Sequence, residues 1–192
     1  MIEKTLVSQG SILTIAGSDA PGVCLEACRM WVKSVLTNNW KYSDTVYEIL
    51  DAKTIMNVLE VHQTRRTIND KTMEGYDIMV TSRQGGKGLR KFTGLRTRED
   101  VINTVLSVPG VYIYCATGKK AGGHAFAFNS SSNSLTAFFD PNQGEWQFTG
   151  ESNDAVRTWW SDFWEAKGDG KLNYKNEFHK GERELWKVDI AA

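Results

Sequence analysis

Between residues 24 and 36 the apolar positions Cys24, Ala27, Cys28, Trp31 and Val35 recur every three to four residues, while Glu26, Arg29 and Lys33 fall elsewhere. That spacing predicts an amphipathic helix. A second helical pattern runs from Thr45 to about Arg66 through Val46, Ile49, Leu50, Ile55, Val58, Leu59 and His62, as two helices or one with a break. Beyond residue 75 the period shortens. The stretches YDIMVTS (76–82), GVYIYCAT (110–117), HAFAF (124–128), SLTAFFD (134–140), EWQFT (145–149) and ELWKVDI (184–190) are short, rich in aromatic or β-branched residues, and bounded by Gly, Asn, Ser or Pro. They predict an antiparallel sheet. One more helix, about Asn153 to Ala166, carries AVRTWWSDFWEA and stops before the glycines of KGDGK. Helices first and strands afterwards is an α+β order.

The chain's 192 residues suffice for one domain with a real core, so 1–192 is expected to be a single domain. Lys plus Arg equals Asp plus Glu at 23 each, so no overall field draws the molecule to nucleic acid or acidic membrane. Only a local patch recognises a charged partner. The run RQGGKGLRKFTGLRTR, Arg83 to Arg98, has six basic residues, no acidic one and four glycines. It lacks the order of a phosphate-binding loop and reads either as a solvated connection or as a docking surface for an acidic protein or anionic membrane. The N-terminus, MIEKTLVSQGSILTIAG, alternates apolar and polar residues and carries neither a Sec-type signal nor a membrane span. Export, if it occurs, is expected by a leaderless route. Cys24, Cys28 and Cys115 are too few and too scattered for a disulfide framework, which points to a reducing compartment.

Cys24 falls in the first turn of its helix, where unpaired backbone N–H groups and the positive end of the helix dipole favour a thiolate. A nucleophilic cysteine needs a base. Of the three histidines, His62 lies on an apolar helix stripe and His179 in the polar segment KNEFHKGE, so they read as a boundary and a surface residue. His124 differs, because it opens a strand directly after Gly122 and Gly123, with its ring expected to be accessible at the sheet edge. If HAFAF and LTAFFD pair so that Phe128 faces Thr136, His124 stands opposite Asp140 on one face of the sheet. Asp140 then accepts the Nδ1 proton and leaves Nε2 facing the thiolate. Cys28 and Cys115 read as core residues, and the Cys-x₃-Cys spacing does not suggest zinc; neither a metal nor a cofactor is called for. Trp159, Trp160, Phe163 and Trp164 cover more than one helix face, so part of the cluster is expected in the core, with any exposed part a recognition surface.

The segments GVCLEACRMWVKSVL, GGHAFAF and FFDPNQGEWQF resemble, in that order, the three blocks of the YopT/AvrPphB-type cysteine peptidases (peptidase family C58), a papain-like group of bacterial effectors. The resemblance implies a papain-like α+β fold, N-terminal helices on a central antiparallel sheet, and a Cys24, His124, Asp140 triad. It also implies a protein substrate in a host or target-cell cytosol, with the producing bacterium holding the chain in its cytoplasm before secretion. Papain-like enzymes place an amide side chain before the cysteine as an oxyanion donor; here Asp19 stands about there, with Ser18 beside it. An ionised carboxylate accepts hydrogen bonds but donates none. The same triad also serves a glutamine deamidase or transamidase, and a non-catalytic papain-like binding module is the third reading.

Overall fold

The computed structural model describes residues 1–5, 24–37, 89–92, 94–117, 123–132, 134–165, 174, 178 and 183–188. Among these, seven strands form one antiparallel sheet: β1 (Ile2–Thr5), β2 (Leu89–Phe92), β3 (Gly110–Thr117), β4 (Gly123–Ser131), β5 (Ser134–Asp140), β6 (Gly144–Phe148) and β7 (Arg183–Val188). Their order across the sheet is β1-β6-β5-β4-β3-β7-β2. The helices are α1 (Cys24–Thr37), α2 (Arg98–Ser107) and α3 (Asn153–Glu165). This is an α+β fold. The expected helices within 45–66 and the strand at 76–82 lie outside the described residues, as do His62, His179, Ser18 and Asp19.

Because side chains alternate along a strand, the sheet separates two cores. Ala125, Ala127, Ala137 and Phe139 point to α1, whose Ala27, Cys28, Trp31 and Val32 pack on them. The Trp31 ring stacks on Phe139 at 5.8 Å with 4° between planes. On the other face Tyr112, Tyr114, Phe126, Phe128 and Phe138 meet the buried residues of α2 and α3. Arg29, off the predicted stripe of α1, is nevertheless fully buried, so α1 is covered on a second side as well.

The basic run contributes more than a connection. Its residues Leu89–Phe92 form β2, paired with β7 at the edge of the sheet, and it ends where α2 begins. Helix α2 buries Val101, Ile102, Val105 and Leu106 on one face, and its start is written in a capping box, in which Thr97 Oγ1 accepts from the Asp100 N–H at 3.1 Å and Asp100 Oδ2 accepts from the Thr97 N–H at 2.8 Å. The tryptophan cluster of α3 is core. Trp160, Phe163 and Trp164 are buried, and the half-buried Trp159 lies 4.8 Å from Phe148 and 5.2 Å from Phe138, ring to ring.

The β4–β5 hairpin is where the observed register departs from the expected one. Phe128 pairs with Phe138 rather than Thr136, and Ala127 with Phe139. Nearer the tip, Ser130 pairs with Leu135, so Thr136 is an extra residue in β5 and forms a bulge opposite Asn129 and Ser130. Its hydroxyl donates to the Asn129 carbonyl at 2.8 Å.

Candidate active site

Cys24 is the first residue of α1, and α1 crosses the alanine face of β4. Small side chains there let the helix lie close to the strand, so its first turn reaches the start of β4, where His124 stands. The thiol accepts a hydrogen bond from the His124 ring and from the backbone N–H groups of Ala125 and Leu25. Burial works against the thiolate, but these donors and the charge of His124 outweigh it, and the Cys24 pKa is lowered from its ordinary 9.0.

His124 Nε2 lies 2.8 Å from Asp140 Oδ1. This reverses the expected ring orientation: the carboxylate holds Nε2, and Nδ1 is left for the thiol. The two-residue difference in register explains why the pair still meets. Continuing the observed pairing sets Asp140 opposite Phe126, and Phe126 shares a face with His124 because they are two residues apart on one strand. The contact is diagonal instead of direct. Burial alone pulls the imidazole below its ordinary 6.5, but Asp140 and then Cys24 favour the charged ring and raise it to about 10. Both shifts run in the direction that favours a thiolate beside an imidazolium.

The imidazole is not open at the sheet edge as expected; it is 6% exposed. Tyr174 stacks on it at 5.4 Å and 16°, Phe126 meets it edge-on at 4.6 Å, and Phe178 lies at 6.3 Å. Tyr174 has a second part in the site. Its hydroxyl donates to Asp140 Oδ2 at 2.7 Å, while the Asn142 N–H donates to Oδ1 at 2.9 Å, so both carboxylate oxygens are held. The Asn142 side chain donates in turn to the Tyr174 oxygen at 3.3 Å. Burial and the neighbouring carboxylate push the Tyr174 pKa up, which keeps its hydroxyl a donor.

Sequence reasoning missed Tyr174, Phe178 and Asn142. Tyr174 and Phe178 are both helical and four residues apart, a one-face spacing that marks the pair, while Asn142 follows Asp140 by two, as in an Asx-turn. Glu145, in the same FFDPNQGEWQF segment, lies on the α1 side instead. It is fully buried, and burial pushes its carboxyl up to about 9, with the Trp31 indole N–H pulling weakly the other way. Cys28 is buried under α1 and Cys115 half-buried beside it; all three cysteines are free thiols.

The family model described as Peptidase C58, Yersinia/Haemophilus virulence surface antigen, matches residues 8–180. Among solved structures, the crystal structure of the Pseudomonas avirulence protein AvrPphB is similar with a TM-score of 0.54 and 15% sequence identity, covering 98% of this chain and 97% of that one. At that identity the likeness speaks for the papain-like fold. No curated protein matches the sequence.

Proposed function

Since the chain belongs to the Peptidase C58 family of cysteine peptidases, we propose that it is a YopT-type thiol peptidase cleaving specific proteins through Cys24, His124 and Asp140. The observation that carries this reading is the continuous chain of contacts from the Cys24 thiol through the His124 ring to Asp140. Cys24 attacks the carbonyl carbon as a thiolate and forms the acyl-enzyme; His124 gives its proton to the leaving amine and then takes one from the attacking water. Asp140, held by Tyr174 and Asn142, keeps the ring turned to the sulfur. The Cys24 backbone N–H, in the first turn of α1, is one oxyanion donor, and Ser18 or Asp19 is the place to look for a second. The producing bacterium secretes the chain, and its substrates lie in the cytosol of a host or target cell. None of the described helices is long and apolar enough to cross a membrane.

The pH dependence of Cys24 alkylation by iodoacetamide, read by intact mass, tests the pair. The reactive form exists above the lowered thiol value and below the imidazole value of about 10. Labelling is therefore expected to rise at a pH below 9.0 in the wild type and to shift upward in His124→Ala, where burial is left as the main influence on the thiol. An unchanged profile in the variant would falsify the activated pair. On a cleavable protein, two product chains mark proteolysis, whereas an intact chain about one dalton heavier marks deamidation.

A further inference from the structure

A cavity of about 240 Å³ opens between the start of α2 and the aromatic core, at the same end of the sheet as His124. Its lining residues include three arginines, Arg96, Arg98 and Arg183, and one acidic residue, Glu99, with Trp164 and Phe178 as aromatic members. Two of the arginines are fixed. Arg98 donates to Glu99 at 2.6 Å and to Glu165 at 2.9 Å, and Arg183 donates to the carbonyls of Arg96 at 3.1 Å and Phe178 at 3.4 Å. The backbone of Arg96 is held from both sides, by Arg183 at its carbonyl and by Asp100 at its N–H (2.9 Å), while its side chain is exposed. A concave site with an excess of arginines and aromatic walls is the chemistry that receives a carboxylate or phosphate.

Its position relates it to Cys24. Arg183, Ala116 and His124 oppose one another in succession across β7, β3 and β4. Directly opposed residues share a face, and neighbouring strands lie about 4.8 Å apart, so the Arg183 and His124 backbones are about 10 Å apart with both side chains on one face. Phe178 spans the interval, as a wall of the cavity and a ring 6.3 Å from that of His124. An extended peptide advances about 3.3 Å per residue, so a chain with its reacting carbonyl at Cys24 brings a side chain about three residues away to the cavity. We propose that this cavity is a specificity subsite for an anionic side chain of the substrate peptide, carboxylate or phosphorylated, about three residues from the bond attacked. The proposal rests on the peptidase reading above. A pocket sized for one side chain fits a peptide, whereas a membrane surface presents no such projection.

The first test uses Cys24→Ala protein, which does not turn over, and follows its arginine Nε–H NMR signals during titration with alanine-rich peptides carrying one Asp, one phosphoserine or one Ser. Saturable shifts are expected with the Asp or phosphoserine peptide, the tighter of the two identifying the natural group, and Arg96→Glu is expected to weaken binding at least tenfold. Equal response to the Ser peptide, or binding untouched by Arg96→Glu, overturns the proposal. Binding of phosphatidylserine vesicles that Arg96→Glu abolishes, with no response to peptides, overturns it in favour of a membrane contact. The second test digests a pooled peptide library, phosphorylated members included, with active protein and reads the new termini by mass spectrometry. Acidic or phosphorylated residues are expected to be enriched about three positions from the cleaved bonds, with the enrichment lost in Arg96→Glu and partly kept in Arg96→Lys. Cleavage without enrichment sinks the subsite and leaves the peptidase standing. Absence of cleavage with peptide binding intact sinks the peptidase reading and leaves the anion site.

Discussion

The two faces of the central sheet are made by the same strands and do different things. One face presents Phe126, Phe128 and Phe138 to α2 and α3; the other presents Ala125, Ala127 and Ala137 to α1. The aromatic face fills volume: Phe138 alone has ring neighbours within 6 Å in Phe126, Phe128, Trp146, Trp159, Trp160 and Phe163. The alanine face removes volume, and so sets how near a helix comes to the strand that carries His124. Stability is concentrated on one side and the approach of α1 on the other, with His124 and Asp140 on the aromatic side and Cys24 arriving from the alanine side.

Substitutions that exchange the character of the two faces test this division. The largest stability effect is expected from Phe138→Ala, which leaves a cavity amid six rings and should cost about 3–5 kcal/mol in denaturant unfolding. The pH profile of Cys24 alkylation in the remaining folded protein should be unchanged, because the rings around Phe138 are Phe126, Phe128, Trp146, Trp159, Trp160 and Phe163 and not His124. The opposite pattern is expected for Ala127→Leu, which crowds α1. Its stability cost is smaller, about 1–3 kcal/mol, but a shift of α1 by about an ångström should reduce peptide cleavage roughly a hundredfold and carry the alkylation profile upward. If Ala127→Leu keeps full activity, the nearness of α1 is not set by the alanines. The smallest effect belongs to Tyr174→Phe, which keeps the stack on His124 and removes the donor to Asp140. A net loss of about 1 kcal/mol corresponds to roughly a fivefold drop in kcat with little change in KM.

Much of this arrangement is legible in the sequence because it follows local rules. The stripe through Cys24, Ala27, Cys28, Trp31 and Val35 predicts α1 and its buried face, and the apolar stretches from 110 to 149 predict β3 and β5 to the residue and β6 within one, while β4 runs three residues beyond the stretch that announces it. Helix α2 was missed although REDVINTVLS carries Val101, Ile102, Val105 and Leu106 at one-face spacing, behind the Thr97–Asp100 box. Cys24, His124 and Asp140 are recognisable as a set, but the partners that hold them depend on distance in space rather than in sequence. Tyr174 is 34 residues from the carboxylate it binds and 50 from the ring it covers. No periodicity spans such a gap. The orientation of the His124 ring was equally out of reach, because it turns on whether the carboxylate is level with the histidine or two residues along.

The extra residue at Thr136 bears on how this hairpin tolerates change. The tip pairs Ser131 with Ser134, and a ladder continued from there without interruption would match His124 with Pro141 and Asp140 with Ala125. Asp140 would then turn to the alanine side, beneath α1, while His124 stayed among the rings. One unpaired residue shifts the phase of everything between the bulge and the far end, and only an odd count does so. The hairpin therefore carries a parity rule for the face Asp140 takes: a single insertion or deletion within the paired strands is expected to turn Asp140 away from His124, whereas a change of two keeps the face and slides the carboxylate two residues along the histidine strand.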